Sequence, residues 1–154
     1  MAAWSHHPRV LLTLLRLERR VQRWRRLDTD LQAFATMASA ARIGCAWCVD
    51  FGYWEFHHRG VDPRKLEEIP GWRSSALYTE LERLVLEYAE AMTETPPVVT
   101  DELMVRLRQH LDDAALVELT SLVALENMRS RSNAALGLTS QGFKAECELR
   151  PQSA

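Results

Sequence analysis

A chain of 154 residues, 47% hydrophobic and 26% charged, has the length and composition of one globular domain. Six glycines and six prolines exclude a low-complexity chain. Thr13 splits Val10-Leu11-Leu12 from Leu14-Leu15, so the N-terminal region lacks a signal-peptide core and no membrane span is expected. Three cysteines form no dense, even disulfide framework, which points to a reducing cytoplasm and leaves the thiols needing another explanation. The net charge of −2 conceals an asymmetry: residues 1–27 carry seven arginines against Glu18 alone, a net +6, while the remainder, with 12 basic and 20 acidic side chains, is −8. A basic arm of this kind binds nucleic acid or docks on the acidic body of a neighbouring subunit. No base-reading motif accompanies the arginines, so nucleic acid is not the expected partner.

In chain order, Val10, Leu14, Leu17, Val21 and Trp24 fall on one stripe of an α-helix, with Arg16, Arg19, Arg20, Arg23 and Arg26 largely off it. Residues 1–26 are thus a basic amphipathic helix that seeks a partner. Asp28 or Thr29 caps a second helix to about Ile43, whose run of alanines lets other helices approach closely. Gly44 breaks it. Cys45-Ala46-Trp47-Cys48 opens a third helix reaching His57-His58-Arg59-Gly60, where cations meet the negative end of the dipole. Asp62-Pro63 reads as cap and first residue of a short helix ending near Ile69-Pro70, and a loop follows through Gly71 to Ser75. Leu81, Leu84, Val85, Tyr88, Ala91 and Met92 then repeat at helical spacing, and Thr93 to Pro97 ends that element. Thr100 caps the next helix, Asp112 a long final one, and Gly137 stops it. Nowhere do β-branched residues alternate as a strand requires, so the fold is all-α, of six to seven helices. The residues from Gly142 onward are expected to be loosely attached.

The sharpest chemical signal is Cys45-x-x-Cys48, whose separation of three brings both thiols to one side of a first helical turn. The helix N-terminus favours a thiolate there, and a thiolate is what attacks a peroxide or a disulfide. Taken alone, the pair reads as a redox couple, as two inert buried thiols, or as half of a metal site. His57 and His58 lie about three turns along the same helix and cannot share an ion with the cysteines, while Cys147 in the tail reads as a bystander, so no metal site is expected. Trp47 and Trp54 share one face of this helix with Phe51 between them, as core, subunit contact or an apolar wall for an organic substrate. Asp50, about 200° around the helix from Cys48, reads as an exposed first-turn acid, whereas Gly52 and Glu55 share the Cys48 face. Glu126, Tyr88 and His110 are the titratable groups nearest apolar stripes elsewhere; Glu126 is either surface-facing or a buried acid near the thiols. Asn127, Arg129 and Arg131 on the same final helix read as caps or subunit ion pairs.

The segment Ala41-Arg-Ile-Gly-Cys45-Ala-Trp-Cys48-Val-Asp50-Phe51, the Gly60-Val-Asp62 break, Leu84 to Met92 and Val117 to Leu138, in that order, resemble the carboxymuconolactone decarboxylase or AhpD-like superfamily. The resemblance covers roughly residues 27–143, leaves 144–154 as a tail, and is closest to the cysteine-containing, alkylhydroperoxidase-like branch. It implies an all-α fold, a trimer or hexamer built by packing helices between subunits, and thiol-dependent reduction of hydroperoxides without a cofactor. Both motif cysteines fall on Cys45 and Cys48. The motif glutamate falls on Ala33, and its two histidine positions on Trp47 and Gly52, so the usual proton relay is absent while dithiol chemistry stays available. The same absences leave no acid/base set for lactone decarboxylation. The expected site is therefore Cys45 and Cys48 with Glu126 as the acid, and Trp47, Phe51 and Tyr88 against the substrate. The expected partners are a hydroperoxide, a thiol reductant and further copies of the chain, with no membrane. A non-catalytic helical oligomer serving as a binding or scaffold protein is the alternative from a different class.

Overall fold

The computed structural model describes residues 2–148, and among them every regular element is helical. The helices are α1 (Ala2–Ser5), α2 (Pro8–Val21), α3 (Thr29–Ile43), α4 (Ala46–His58), α5 (Pro63–Glu68), α6 (Glu80–Thr93), α7 (Asp101–Arg108), α8 (Asp113–Ala135) and α9 (Phe143–Glu148). A 3₁₀ segment, Ile69–Ser74, follows α5 where a loop is expected, and it buries Trp72, whose indole N–H donates to Glu90 at 2.9 Å. The expected caps hold: Asp28, Thr100 and Asp112 accept from the backbone N–H of Leu31, Leu103 and Ala115. Thr79 and Glu82 form a reciprocal capping box at the start of α6, a T-x-x-E signal readable in the sequence.

Helix α3 is the axis of the molecule, packed against α4, α6 and α8. Its alanines explain this: Ala33, Ala35 and Ala40 are fully buried, and so small a surface admits helices on several sides. Phe34 adds the bulk, meeting Tyr78 edge-on at 5.4 Å between ring centres. Buried Glu118 of α8 accepts the backbone N–H groups of Arg26 and Leu27 at 2.9 and 3.2 Å and the Gln32 amide at 3.2 Å, which fixes the chain between α2 and α3 on the core. No helix among the described residues is long and apolar enough to cross a membrane.

Helix α2 behaves differently. It ends at Val21, short of the Trp24 that the apolar stripe includes, and no Cα of it comes within 8 Å of any helix except α1. It stands off the body on side chains, with Val10, Leu12 and Leu15 exposed, Val10 and Leu15 of them toward the gap this leaves.

Two elements exceed the expected six or seven. One is the single-turn α1. The other, α9, corrects the expectation of a loosely attached tail as far as residue 148: it packs along α4, with Asp50 as the anchor. Asp50 is buried, not exposed, because its carboxylate accepts the backbone N–H groups of Gln141, Gly142, Phe143 and Lys144 and the Ser140 hydroxyl, at 2.8 to 3.2 Å. Residues 149–154 of the expected tail lie outside the described residues.

Candidate active site

Gly44 ends α3 in the left-handed conformation, at φ 82°, which a residue without Cβ adopts at no steric cost. The reversal delivers Cys45 to the N-cap of α4, where its sulfur accepts the backbone N–H of Cys48 at 3.3 Å. Cys45 and Cys48 are joined as a disulfide across a Cα separation of 5.3 Å, packed on Ala40, Trp47 and Val49. The spacing in the sequence thus brings the two sulfurs together as expected.

The two cysteines are not equivalent. Cys48 lines a cavity of about 640 Å³ enclosed by α2, α4 and α8, and Cys45 does not. The cavity exists because α2 stands off the body: Leu11, Leu14 and Glu18 of α2 form one wall, Trp47, Phe51, Gly52 and Glu55 of α4 the second, and Glu126, Arg129 and Asn133 of α8 the third. Trp47, Phe51 and Trp54 form a continuous aromatic run, stacked at 5.0 and 5.6 Å. Asn133 reaches Cys48, its side-chain N–H donating to the sulfur at 3.4 Å, while its carbonyl accepts the Trp4 indole N–H at 3.2 Å.

The polar side of the cavity is an ionic cluster. Arg129 clasps Glu18 with two hydrogen bonds, at 2.6 and 2.8 Å, and touches Glu126 at 3.3 Å. Glu126 is 3% exposed and also accepts the Ser130 hydroxyl at 2.7 Å. Burial pushes its carboxyl above the usual range, more strongly than Arg129 and Ser130 pull it down. Glu55 is raised for the same reason, against the opposing charges of Arg59 and Arg129. Burial works against the Arg129 guanidinium, but Glu18 and Glu126 outweigh it and hold the proton more firmly. The cavity therefore carries two carboxyls that resist ionisation beside one fixed cation.

Of the residues singled out in the sequence, Cys48, Trp47, Phe51, Gly52, Glu55 and Glu126 share this cavity. Glu126 is the buried alternative, not a surface acid. Tyr88 is not brought to it: the side chain is buried between α6 and α8 with its hydroxyl 2.8 Å from that of Thr120. His110 is exposed beyond α7. Ala33, where the motif glutamate would stand, is closed in the core and lines no part of the cavity. Arg129 pairs within its own chain, and Asn127 donates to the Thr93 hydroxyl at 2.9 Å. Nothing in the sequence marks Glu18 and Asn133 except an inward position on helices that face the thiols. Cys147 does not sit in a loose tail: α9 sets it against the far end of α4, beside His57 and His58.

The sequence pattern of the carboxymuconolactone decarboxylase family matches residues 8–91. Among curated proteins, the uncharacterised YnjA of Escherichia coli is 39% identical over 117 residues, 76% of this chain and 64% of that protein. The uncharacterised YdfG of Bacillus subtilis is 30% identical over 95 residues, 61% of this chain and 65% of that one, so the chain spans just under two thirds of each relative. A crystal structure from Agrobacterium tumefaciens, of a protein of unknown function proposed as the antioxidant defence protein AhpD, superposes with a TM-score of 0.84 at 25% identity, covering 91% of this chain and 96% of that one. The debrominase Bmp8, crystallised with 2,3,4-tribromopyrrole, shares the fold with a TM-score of 0.84 at 20% identity, covering 92% of this chain and 76% of that one.

Proposed function

The chain belongs to the carboxymuconolactone decarboxylase family, and from that premise we propose that it reduces organic hydroperoxides or disulfides, with Cys48 as the attacking thiol and Cys45 as the resolving thiol. The observation that carries this reading is the opening of Cys48, alone of the pair, onto an apolar cavity that also holds protonatable Glu126. In the reduced protein, the N-terminal end of α4 and the Asn133 amide favour the Cys48 thiolate. The thiolate attacks one peroxide oxygen, the O–O bond breaks, and the departing alkoxide takes a proton from Glu126. Cys48 is then a sulfenic acid. The Cys45 thiol attacks it, the S–S bond forms, and water leaves with the Cys45 proton. An external dithiol, or two small thiols, of the reducing cytoplasm returns both electrons by thiol–disulfide exchange. With an organic disulfide, the same thiolate releases one thiol and forms a mixed disulfide, from which Cys45 displaces the second thiol as the Cys45–Cys48 bond closes.

A trimer or hexamer fits the surface, because Leu12 of α2 and Val117 of α8, with Val10, Leu15 and Met128 of the cavity lining, expose apolar area that a neighbouring subunit would cover. Light scattering at micromolar concentration tests this, and a 17.7 kDa particle at every concentration overturns it. The activity is tested by treating reduced protein with an organic hydroperoxide and reading intact mass. The expected product has lost two hydrogens, regains them with a reductant, and forms equally in Cys147→Ser. A thiol count unchanged by hydroperoxide and by organic disulfide overturns the reading in favour of a non-catalytic helical oligomer.

A further inference from the structure

We propose that the C-terminal end of α4 and helix α9 form a site for a thiophilic divalent cation of the zinc type, held by His57, His58 and Cys147 and separate from the cavity. One ligand atom from each of these side chains lies within 4.8 Å of the others, so a small closure brings all three to one ion. Two imidazoles and a thiolate are a donor set of the borderline softness that zinc selects, and three protein ligands leave a fourth position for water or an added ligand.

The surroundings prepare these donors. His58 Nδ1 lies 2.7 Å from the Trp54 carbonyl and must donate to it, which fixes the tautomer and leaves Nε2 with the lone pair a metal needs. His57 stacks on Tyr53 at 5.9 Å, and its Nδ1 is buried without a hydrogen-bond partner, a cost that a ligating role removes. Both histidines sit in the last turn of α4, where the negative end of the helix dipole favours a cation. Cys147 is buried and takes no part in the disulfide.

The site has a mechanical consequence. Asp50 holds the first turn of α9, and the cation holds its last, both from α4. Metal uptake then clamps α9, and with it Phe143, which packs edge-on against Trp47 and Phe51 at 6.3 and 5.5 Å behind the cavity wall. Cys147 binds as thiolate, so each ion taken up releases the thiol proton to the buffer.

The test uses protein with the Cys45–Cys48 disulfide intact, so that neither sulfur competes for metal, and cobalt(II) alone as the probe. One Co²⁺ per chain is expected, with a near-ultraviolet thiolate-to-cobalt charge-transfer band that zinc bleaches. Cys147→Ser should lose the band, and His58→Gln, a change at an exposed position, should weaken binding at least about tenfold. Binding without the band, a band that survives Cys147→Ser, or unaltered affinity in His58→Gln overturns the proposal. Should Cys147→Ser fail to fold, His58→Gln decides alone.

Discussion

Along α4, Cys48, Gly52 and Glu55 face the cavity, whereas Asp50 and His57 face α9, and the carboxyl on each side is driven in the opposite direction. Burial opposes ionisation on both. On the α9 side the hydrogen bonds from Lys144, Ser140, Gln141 and Phe143 outweigh it, and Asp50 is held below the usual carboxylate range. On the cavity side Glu55, and Glu126 in the ionic cluster of α8, have no backbone donors; burial outweighs the arginines and Ser130 there, and both are raised. The difference lies in the supply of backbone donors at Asp50 and in the heavier burial cost at Glu55 and Glu126. A side of the helix that meets the start of another helix becomes a fixed latch; one that meets a gap keeps acids able to exchange a proton.

The largest expected effect separates the cysteines. Cys48→Ser should reduce hydroperoxide-driven thiol oxidation to background in stopped-flow measurements, because Cys45 does not reach the cavity. Cys45→Ser should still react once and halt as a sulfenic acid, gaining one oxygen by mass. The reverse pattern would move the attacking role to Cys45 and remove the reason for placing the chemistry in the cavity.

Next in size is Glu126→Gln, expected to slow turnover by roughly 10² or more while the protein stays folded. The sign of the pH effect follows from the raised carboxyl. Thiolate formation makes the rate rise with pH, and loss of the Glu126 proton makes it fall as pH passes the raised value, so wild type gives a bell whose falling limb the variant lacks. Stability moves in a related way: the contribution of Glu126 is fully present below the unfolded carboxyl value and is lost as pH rises through the raised folded one. A falling limb identical in both proteins would transfer the acid role, with Glu55 next in position.

Helices α3, α4, α6, α7 and α8 were legible because their signals are local: periodic apolar residues, Asp28, Thr100 and Asp112 as caps, and Gly44 between α3 and α4. The disulfide was legible for the same reason, the spacing of three residues. What the sequence hides is long-range donation. Helix α9 has its cap in Asp50, about ninety positions earlier, so no local signature marks its start and the acid itself looks exposed. The periodicity of Tyr88 points it inward, but inward on α6 means toward Thr120, not toward the thiols. Glu126 lay in a core-like stretch with two readings open, and only the partners Arg129 and Ser130 decide between them.

The latch offers the third effect. Asp50→Ala removes a carboxylate that serves five donors and should cost about 1.5–3 kcal/mol in urea denaturation. Limited proteolysis should cut near Lys144 in the variant and not in wild type. Because the folded Asp50 value is depressed, its contribution is present above the unfolded value, about 3.9, and is lost as pH falls through the folded one. Wild type should therefore approach the variant's stability in acid. Equal sensitivity to protease at neutral pH would mean that Phe143 and Cys147 hold α9 without the carboxylate.

The smallest effect is expected at Gly52, on the cavity side of the same helix. A glycine inside α4 costs about 0.8–1 kcal/mol relative to alanine in helix propensity, so Gly52→Ala gains that much if the methyl fits. The added Cβ would lie 3.3 Å from Cγ of Met37, a flexible side chain that has to yield by a few tenths of an ångström. The two terms nearly cancel, and a shift in stability within about 1 kcal/mol of wild type is the expected result. Activity should change little as well, since the methyl meets Met37 and carries no proton. Gly52 lines the cavity, as its spacing from Cys48 requires, so once Met37 yields to the Cβ the motif histidine there reaches the cavity wall, whereas a glutamate at Ala33 would be forced into the core. Gly52→His alone, measured by stopped-flow thiol oxidation, should raise the rate; a gain that required Ala33→Glu as well would mean that α3 reaches the cavity at a position the fold encloses.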